Sequence, residues 1–255
     1  SIEYKITPKL QGEDSNCLGA PGYTTVTVNP LPKININLPD CEGPTVDLTK
    51  SSITQGSTPN LEFTYWNDEE ATSRLEEPTE VGLGTYYIKG TSDAGCSLLT
   101  NVIVDKIKPQ LTSPLTVSEV CSGGVLEYEF QSNIPVEKYF WKRPEFGGLT
   151  GSLSGEGNIQ ESFTNTTDET IDVQFEIKIQ AVNGCIAGEE EKITLTVPIL
   201  PKPQLEGDKT YEECSTAPFT ANNYTNVSGA NLTWEIVSQD GISASKTSGS
   251  GSVQN

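Results

Sequence analysis

The residues best placed to do chemistry in this 255-residue chain are six cysteines, Cys17, Cys41, Cys96, Cys121, Cys185 and Cys214. None forms a Cys-x-x-Cys pair, so their spacing fits neither a zinc knuckle nor a dithiol redox centre. Histidine is absent, which removes the commonest zinc ligand and the usual general base. The chemistry left is cross-linking. Cys41 with Cys96, and Cys121 with Cys185, are expected as disulfides, each closing a loop within one module and stabilising it by roughly 2–4 kcal/mol. Cys17 and Cys214 are expected to be half-pairs whose partners lie outside the chain. The alternative is six buried free thiols.

Acidic runs are the next candidates: Asp68-Glu69-Glu70, Glu76-Glu77 and Glu189-Glu190-Glu191. Solvated loops are the simpler reading; structural calcium at module junctions is the sharper one, because hard oxygen ligands suit it. No Asp-x-Asp-x-Asp-Gly loop is present to define a ligand set, so no cofactor is expected. Paired carboxylates could serve a glycosidase, but a chain with 35 Asp and Glu residues makes such pairs by accident. A serine nucleophile would lack its histidine, and no Gly-rich loop leads into a helix to cradle phosphate. The chain is therefore read as non-catalytic. Four Asn-x-Ser/Thr sequons, at Asn165, Asn223, Asn226 and Asn231, arise easily in a sequence rich in these residues.

The elements that would position these residues recur. A Gly-Cys or Asn-Cys turn (Asn16-Cys17, Gly95-Cys96, Gly184-Cys185) precedes an alternating Thr/Val strand, then a Pro/Lys hinge, then a new cysteine. Repetition at this length marks a tandem array. The phrase divides the chain into an incomplete module over 1–31, complete modules over 32–108 and 109–197, and a further incomplete one over 198–255. The chain is read as part of something longer, since it begins and ends within a module. The hinges are placed at 30–33, 106–109 and 198–203.

Strands are expected at 34–38, 45–49, 61–66, 84–90, 126–130, 138–141, 171–179 and 232–237. The segment from Ile171 to Ile179 alternates apolar and polar residues at the period of a half-buried strand. Helical signal is confined to 68–77, where Pro78 would end a single turn. The fold class is all-β: tandem immunoglobulin-like or PKD-like sandwiches of about 75–90 residues joined by Pro-rich hinges. Trp66, Trp141 and Trp234 occupy matching places and are read as core; a sugar-stacking role would need an exposed ring.

The formal charge of −19 excludes nucleic acid as a partner and disfavours anionic lipid. No apolar run reaches the roughly 18 residues of a membrane span, and no leader is read at the start. Disulfides would imply an oxidising location.

The module from Cys41 to Val104, which contains GTYYIKGTSDAGC, resembles the Ig-like repeats of giant surface adhesins of Bacteroidetes. The one from Cys121 to Val197, with VQFEIKIQAVNGC, resembles their PKD-like repeats. Together they resemble the group of SprB-like gliding-motility adhesins. That resemblance implies type IX secretion, display on the outer membrane, partnership with the secretion and motility machinery, and attachment to surface polysaccharide or another cell-surface ligand through regions outside this segment. The expected function is a non-catalytic stalk that spaces and presents a binding tip for attachment or gliding. The alternative is a carbohydrate-binding accessory array of a secreted polysaccharide-degrading enzyme. A filament subunit whose incomplete module is completed by a neighbour is a third reading.

Overall fold

The computed structural model describes residues 1–10, 17–214, 217, 219–241, 244, 246–251 and 253. Among them the chain is all-β, with no helix. It divides into two compact units, Ser1–Ile107 and Lys108–Asn255.

The first unit opens with a hairpin of β1 (Ile2–Ile6) and β2 (Gly22–Val26), in which Ile2 faces Val26. Both strands are exposed along their length, as befits two strands with no second layer to cover them. A three-stranded antiparallel sheet follows, in the order β3 (Glu62–Trp66), β4 (Gly84–Thr91), β5 (Ser97–Val104). Ile88, Val102 and Val104 project from it and are buried, as are Val46, Leu48, Ile53 and Val81. The latter come from irregular segments tied down by pairs such as Val46 with Val81.

Two expected strands are therefore not strands. The 34–38 segment alternates Ile and Asn, but its asparagines replace a ladder with side-chain bonds. Asn35 and Asn37 both donate from Nδ2 to the Gln55 carbonyl, at 2.8 and 2.9 Å. The 45–49 segment makes one isolated bridge and then turns on Asp47, whose carboxylate accepts from the Thr49 amide and hydroxyl. Segment 68–77 forms turns rather than a helical turn.

The second unit contains a sandwich. One sheet runs β6 (Val120–Cys121), β13 (Ile193–Leu200), β11 (Ile171–Ala181), β8 (Val136–Lys142), β9 (Ser154–Glu156), with β12 (Ile186–Ala187) also paired to β11. The other sheet is β7 (Val125–Tyr128) with β10 (Ile159–Ser162). Between them lies one core: Leu126, Tyr128, Phe130, Trp141, Ile159, Phe163, Val173, Phe175, Ile177, Ile179, Leu195, Val197 and Ile199. The period-2 reading of 171–179 holds here, with Val173, Phe175, Ile177 and Ile179 turned inward. Each such side chain stabilises the fold by roughly 1.5–3 kcal/mol. Two small two-stranded pieces complete the described strands: β14 (Leu205–Glu206) with β15 (Tyr224–Thr225), and β16 (Thr233–Glu235) with β17 (Ser248–Ser250). Val237, expected within a strand, lies outside β16 and is exposed.

Half of the segment expected as a hinge, 198–203, is strand. Pro198, Ile199 and Leu200 continue β13, and Ile199 is fully buried opposite Ile171. Thr196 donates its amide to the Leu115 carbonyl, on the side away from β11. Pro198 has the same parity, so its missing N–H falls on that side, in the gap between the Thr116 bridge to Thr196 and the pairing of β6. There a proline costs no ladder bond.

Candidate functional surfaces

The Gly-Cys turns are the clearest repeated local structure. Gly95 and Gly184 both take the left-handed conformation, with φ of 80° and 86°. Gly95 donates to Ser92, and Gly184 to Ala181, at 2.8 and 3.0 Å; Ser92 and Ala181 in turn donate to the carbonyls of Cys96 and Cys185, both at 2.9 Å. The same five-residue device thus reverses the chain in each unit, and glycine is required because a Cβ is disfavoured at that φ. In the third copy, Asn16 lies outside the described residues.

The cysteines themselves correct the sequence reading. Cys41 and Cys185 are disulfide-bonded, while Cys17, Cys96, Cys121 and Cys214 are free thiols. Neither the Cys41/Cys96 nor the Cys121/Cys185 bridge is formed, and strand direction explains why. Cys96 immediately precedes β5. Cys41 adjoins Asp40, which pairs at 3.4 Å with Lys106, just beyond the far end of that strand. Eight residues at about 3.4 Å each separate the two ends by roughly 25 Å. Cys121 aligns with Leu200, beside the start of β11, whereas Cys185 follows the end of β11, eleven residues away. A cystine needs Cα atoms within about 7 Å.

The tryptophans differ from one another. Trp141 is buried and stacks edge-on against Phe175, with ring centroids 5.8 Å apart. Trp234 is half-buried. Both face a glycine on the adjacent strand, Gly155 and Gly249 respectively, as direct register partners. Neither indole N–H has a hydrogen-bond partner. Trp66 is half-buried, sits opposite Tyr87, and donates to the Thr64 hydroxyl at 3.0 Å.

Two groups singled out in the sequence, Asp68 as a cation ligand and Asn165 as a sequon asparagine, are occupied by the protein itself. Asp68 accepts from the amides of Glu70, Thr72 and Ser73 and from the Thr72 hydroxyl. The Thr72 and Ser73 amides hold its carboxyl below the ordinary range; backbone N–H groups stand where a cation would. Asn165 is buried. Its Nδ2 donates to the carbonyls of Glu169 and Ile199 at 2.7 and 2.9 Å, and its Oδ1 accepts from Thr167. This sequon asparagine pins a corner of the sandwich.

A surface that the sequence did not announce lies on the outer face of the large sheet in the second unit. It is a groove of 610 Å³ lined by Phe140, Lys142, Gly155, Glu156, Glu176, Lys178, Gly188, Glu189 and Lys192 among others. Cross-strand register assembles it: Phe140 lies between Glu156 and Lys178, and Lys142 opposes Glu176. Lys138 and Lys178 each sit 5.9 Å from the Phe140 ring centroid. Ion pairs join Lys138 to Glu156 at 3.1 Å, Lys178 to Glu189, and both Lys142 and Lys192 to Glu176. Hydrogen bonds from Lys192 and Lys142 keep the Glu176 carboxyl low. Gly188, at φ 86°, passes so close to β11 that a Cβ would lie 2.0 Å from the Ile177 carbonyl oxygen.

On the inner side of the same strands, Arg143 is buried without a hydrogen-bonded carboxylate. Its guanidinium donates to the carbonyls of Ser152, Gly151 and Pro144 and lies 5.3 Å from the Phe163 ring. Burial lowers its pKa. It organises the loop between β8 and β9, which sets Gly155 against Trp141.

Compared with known protein families and with curated proteins, the chain matches nothing.

Proposed function

We propose that this chain is a non-catalytic segment of a secreted, surface-displayed array of β-modules that carries force between a cell and a distal binding tip. What supports the reading first is the way the large sheet is closed in the second unit. Its earliest strand, β6, pairs in parallel with β13 through Val120–Ile199 and Cys121–Leu200, and Thr116 bridges Thr196 in the same sense. When a chain is pulled from both sides of such a pair, parallel strands slide past one another, so all the bonds between them resist together. Antiparallel neighbours pulled from a shared end would open one bond at a time.

Repetition is the second support. The Gly-Cys turn and the Trp-Gly cross-strand pair each occur twice, as an array of like modules requires. The disulfide-bonded cysteines fit an oxidising compartment. Display by type IX secretion and a role in attachment or gliding follow from the resemblance to giant adhesins alone.

The test is deletion of this segment from the parent protein with the tip and export signals retained. Attachment under flow is expected to fall while attachment in still medium persists. Unchanged attachment under flow overturns the reading.

A further inference from the structure

We infer that the outer-face groove of the second unit binds an acidic polysaccharide, of the uronic-acid type, through Phe140, Lys142, Lys178 and Lys192. The first observation is charge. In a chain of formal charge −19, four lysines converge on one sheet face, and two of them lean on a single carboxylate, Glu176. The ion pairs of this face thus join four lysines to three carboxylates, an excess of positive charge that runs against the balance of the whole chain.

The second observation is shape. The 610 Å³ groove falls within the roughly 300–1,000 Å³ of small-molecule sites, which suits one or two sugar rings. Its floor combines half-buried Phe140 with the backbone of Gly155 and Gly188. The C–H face of a pyranose packs on such a ring, and its carboxylate reaches the ammonium groups. Glu156 and Glu189 remain as acceptors for sugar hydroxyls. A neutral glucan would lose the carboxylate contact. An acidic peptide would supply carboxylates without a rigid apolar face.

This proposal deepens the reading of a displayed array by giving the modules themselves a ligand, and it rests on that reading only for the source of the polysaccharide. The test titrates the full chain with tetragalacturonate, with a neutral tetraglucan and with tetraglutamate, following backbone amide shifts. Tetragalacturonate is expected to shift the amides of Phe140, Lys142, Glu176 and Lys178, and to bind at least tenfold more tightly than either control. Lys142→Gln, which leaves Glu176 balanced by Lys192, and Phe140→Ala are each expected to weaken binding about tenfold with the near-ultraviolet circular dichroism of Trp141 unchanged. Equal binding of tetraglutamate, equal binding of the glucan, or no shift at millimolar ligand overturns the proposal. Should either variant lose its tertiary signal, the wild-type comparison of the three ligands still decides. Failure of surface display would not alter any of these binding results, so the two readings fall separately.

Discussion

Gly155 lies directly opposite Trp141 across the β8–β9 ladder, and the indole occupies the space a side chain would take. A Cβ on Gly155 would stand 2.3 Å from Cζ2 of Trp141. The pair Gly249 and Trp234 repeats the relationship at 2.6 Å. Gly155→Ala must therefore push a buried ring off its rotamer. It is expected to destabilise the second unit by about 1–3 kcal/mol, read as a lowered denaturation midpoint in tryptophan fluorescence. Gly147→Ala, where a Cβ meets nothing within 4 Å, serves as the neutral control.

Asn165→Ala would remove the amide donor from the carbonyls of Glu169, which keeps the Thr167 hydroxyl, and Ile199, and free the turn at Thr167. A loss of about 1–3 kcal/mol is expected from the lost buried hydrogen bonds, measured by urea unfolding. Expressed in a host that modifies sequons, the folded protein should carry no glycan at Asn165, as mass spectrometry of the tryptic peptides would show. Quantitative occupancy there would contradict the buried geometry.

What the sequence made legible was local, and what it hid depended on register or strand direction. The alternation at 171–179 was readable because one face of β11 is buried and the other is not. The same alternation at 34–38 misled, because asparagine can satisfy the backbone of a neighbouring segment without forming a ladder. The Gly-Cys turns were readable from glycine alone. Which cysteines could meet was not, since each early and late cysteine of a module lies at opposite ends of a long strand. The groove was invisible for the same reason. Phe140, Glu176 and Lys192 are far apart in the chain and adjacent only through the pairing of β8, β11 and the segment leading into β13.

Alkylation separates the cysteines without reference to any partner. Native protein treated with iodoacetamide is expected to be labelled at the exposed thiols Cys17, Cys121 and Cys214, and more slowly at half-buried Cys96. Cys41 and Cys185 should react only after reduction. Protection of Cys96 and Cys121 in the unreduced protein would restore the intramodule bridges that strand geometry argues against.

Acid should weaken each unit through different carboxylates. Amides of Thr72 and Ser73 lower the Asp68 pKa below 3.8, and bonds from Lys192 and Lys142 lower that of Glu176 below 4.5. A carboxylate with a depressed folded pKa adds stability above its unfolded value and loses it as pH falls through the folded one. Unfolding midpoints should therefore hold from neutral pH down to about 4.5 and decline below that. The Asp47 pKa is lowered likewise by its bonds from Thr49, so the first unit should lose its part of the decline in Asp47→Asn combined with Asp68→Asn, and the second in Glu176→Gln. A decline that survives these substitutions would place the sensitive carboxylates elsewhere.

The parallel closure of β6 on β13 makes resistance depend on where force is applied. Handles outside residues 114 and 200 load the Thr116–Thr196, Val120–Ile199 and Cys121–Leu200 contacts in shear. Handles at Ser122 and Leu200, which are joined by a backbone bond of 2.9 Å, pull on the same end of both strands and peel them apart. Single-molecule stretching is expected to give an unfolding force severalfold higher in the first geometry, because bonds in series fail one after another and bonds in parallel share the load. Equal forces would mean that the weakest point lies in the β7–β10 layer or the loops, and the mechanical case for a stalk would fail with it.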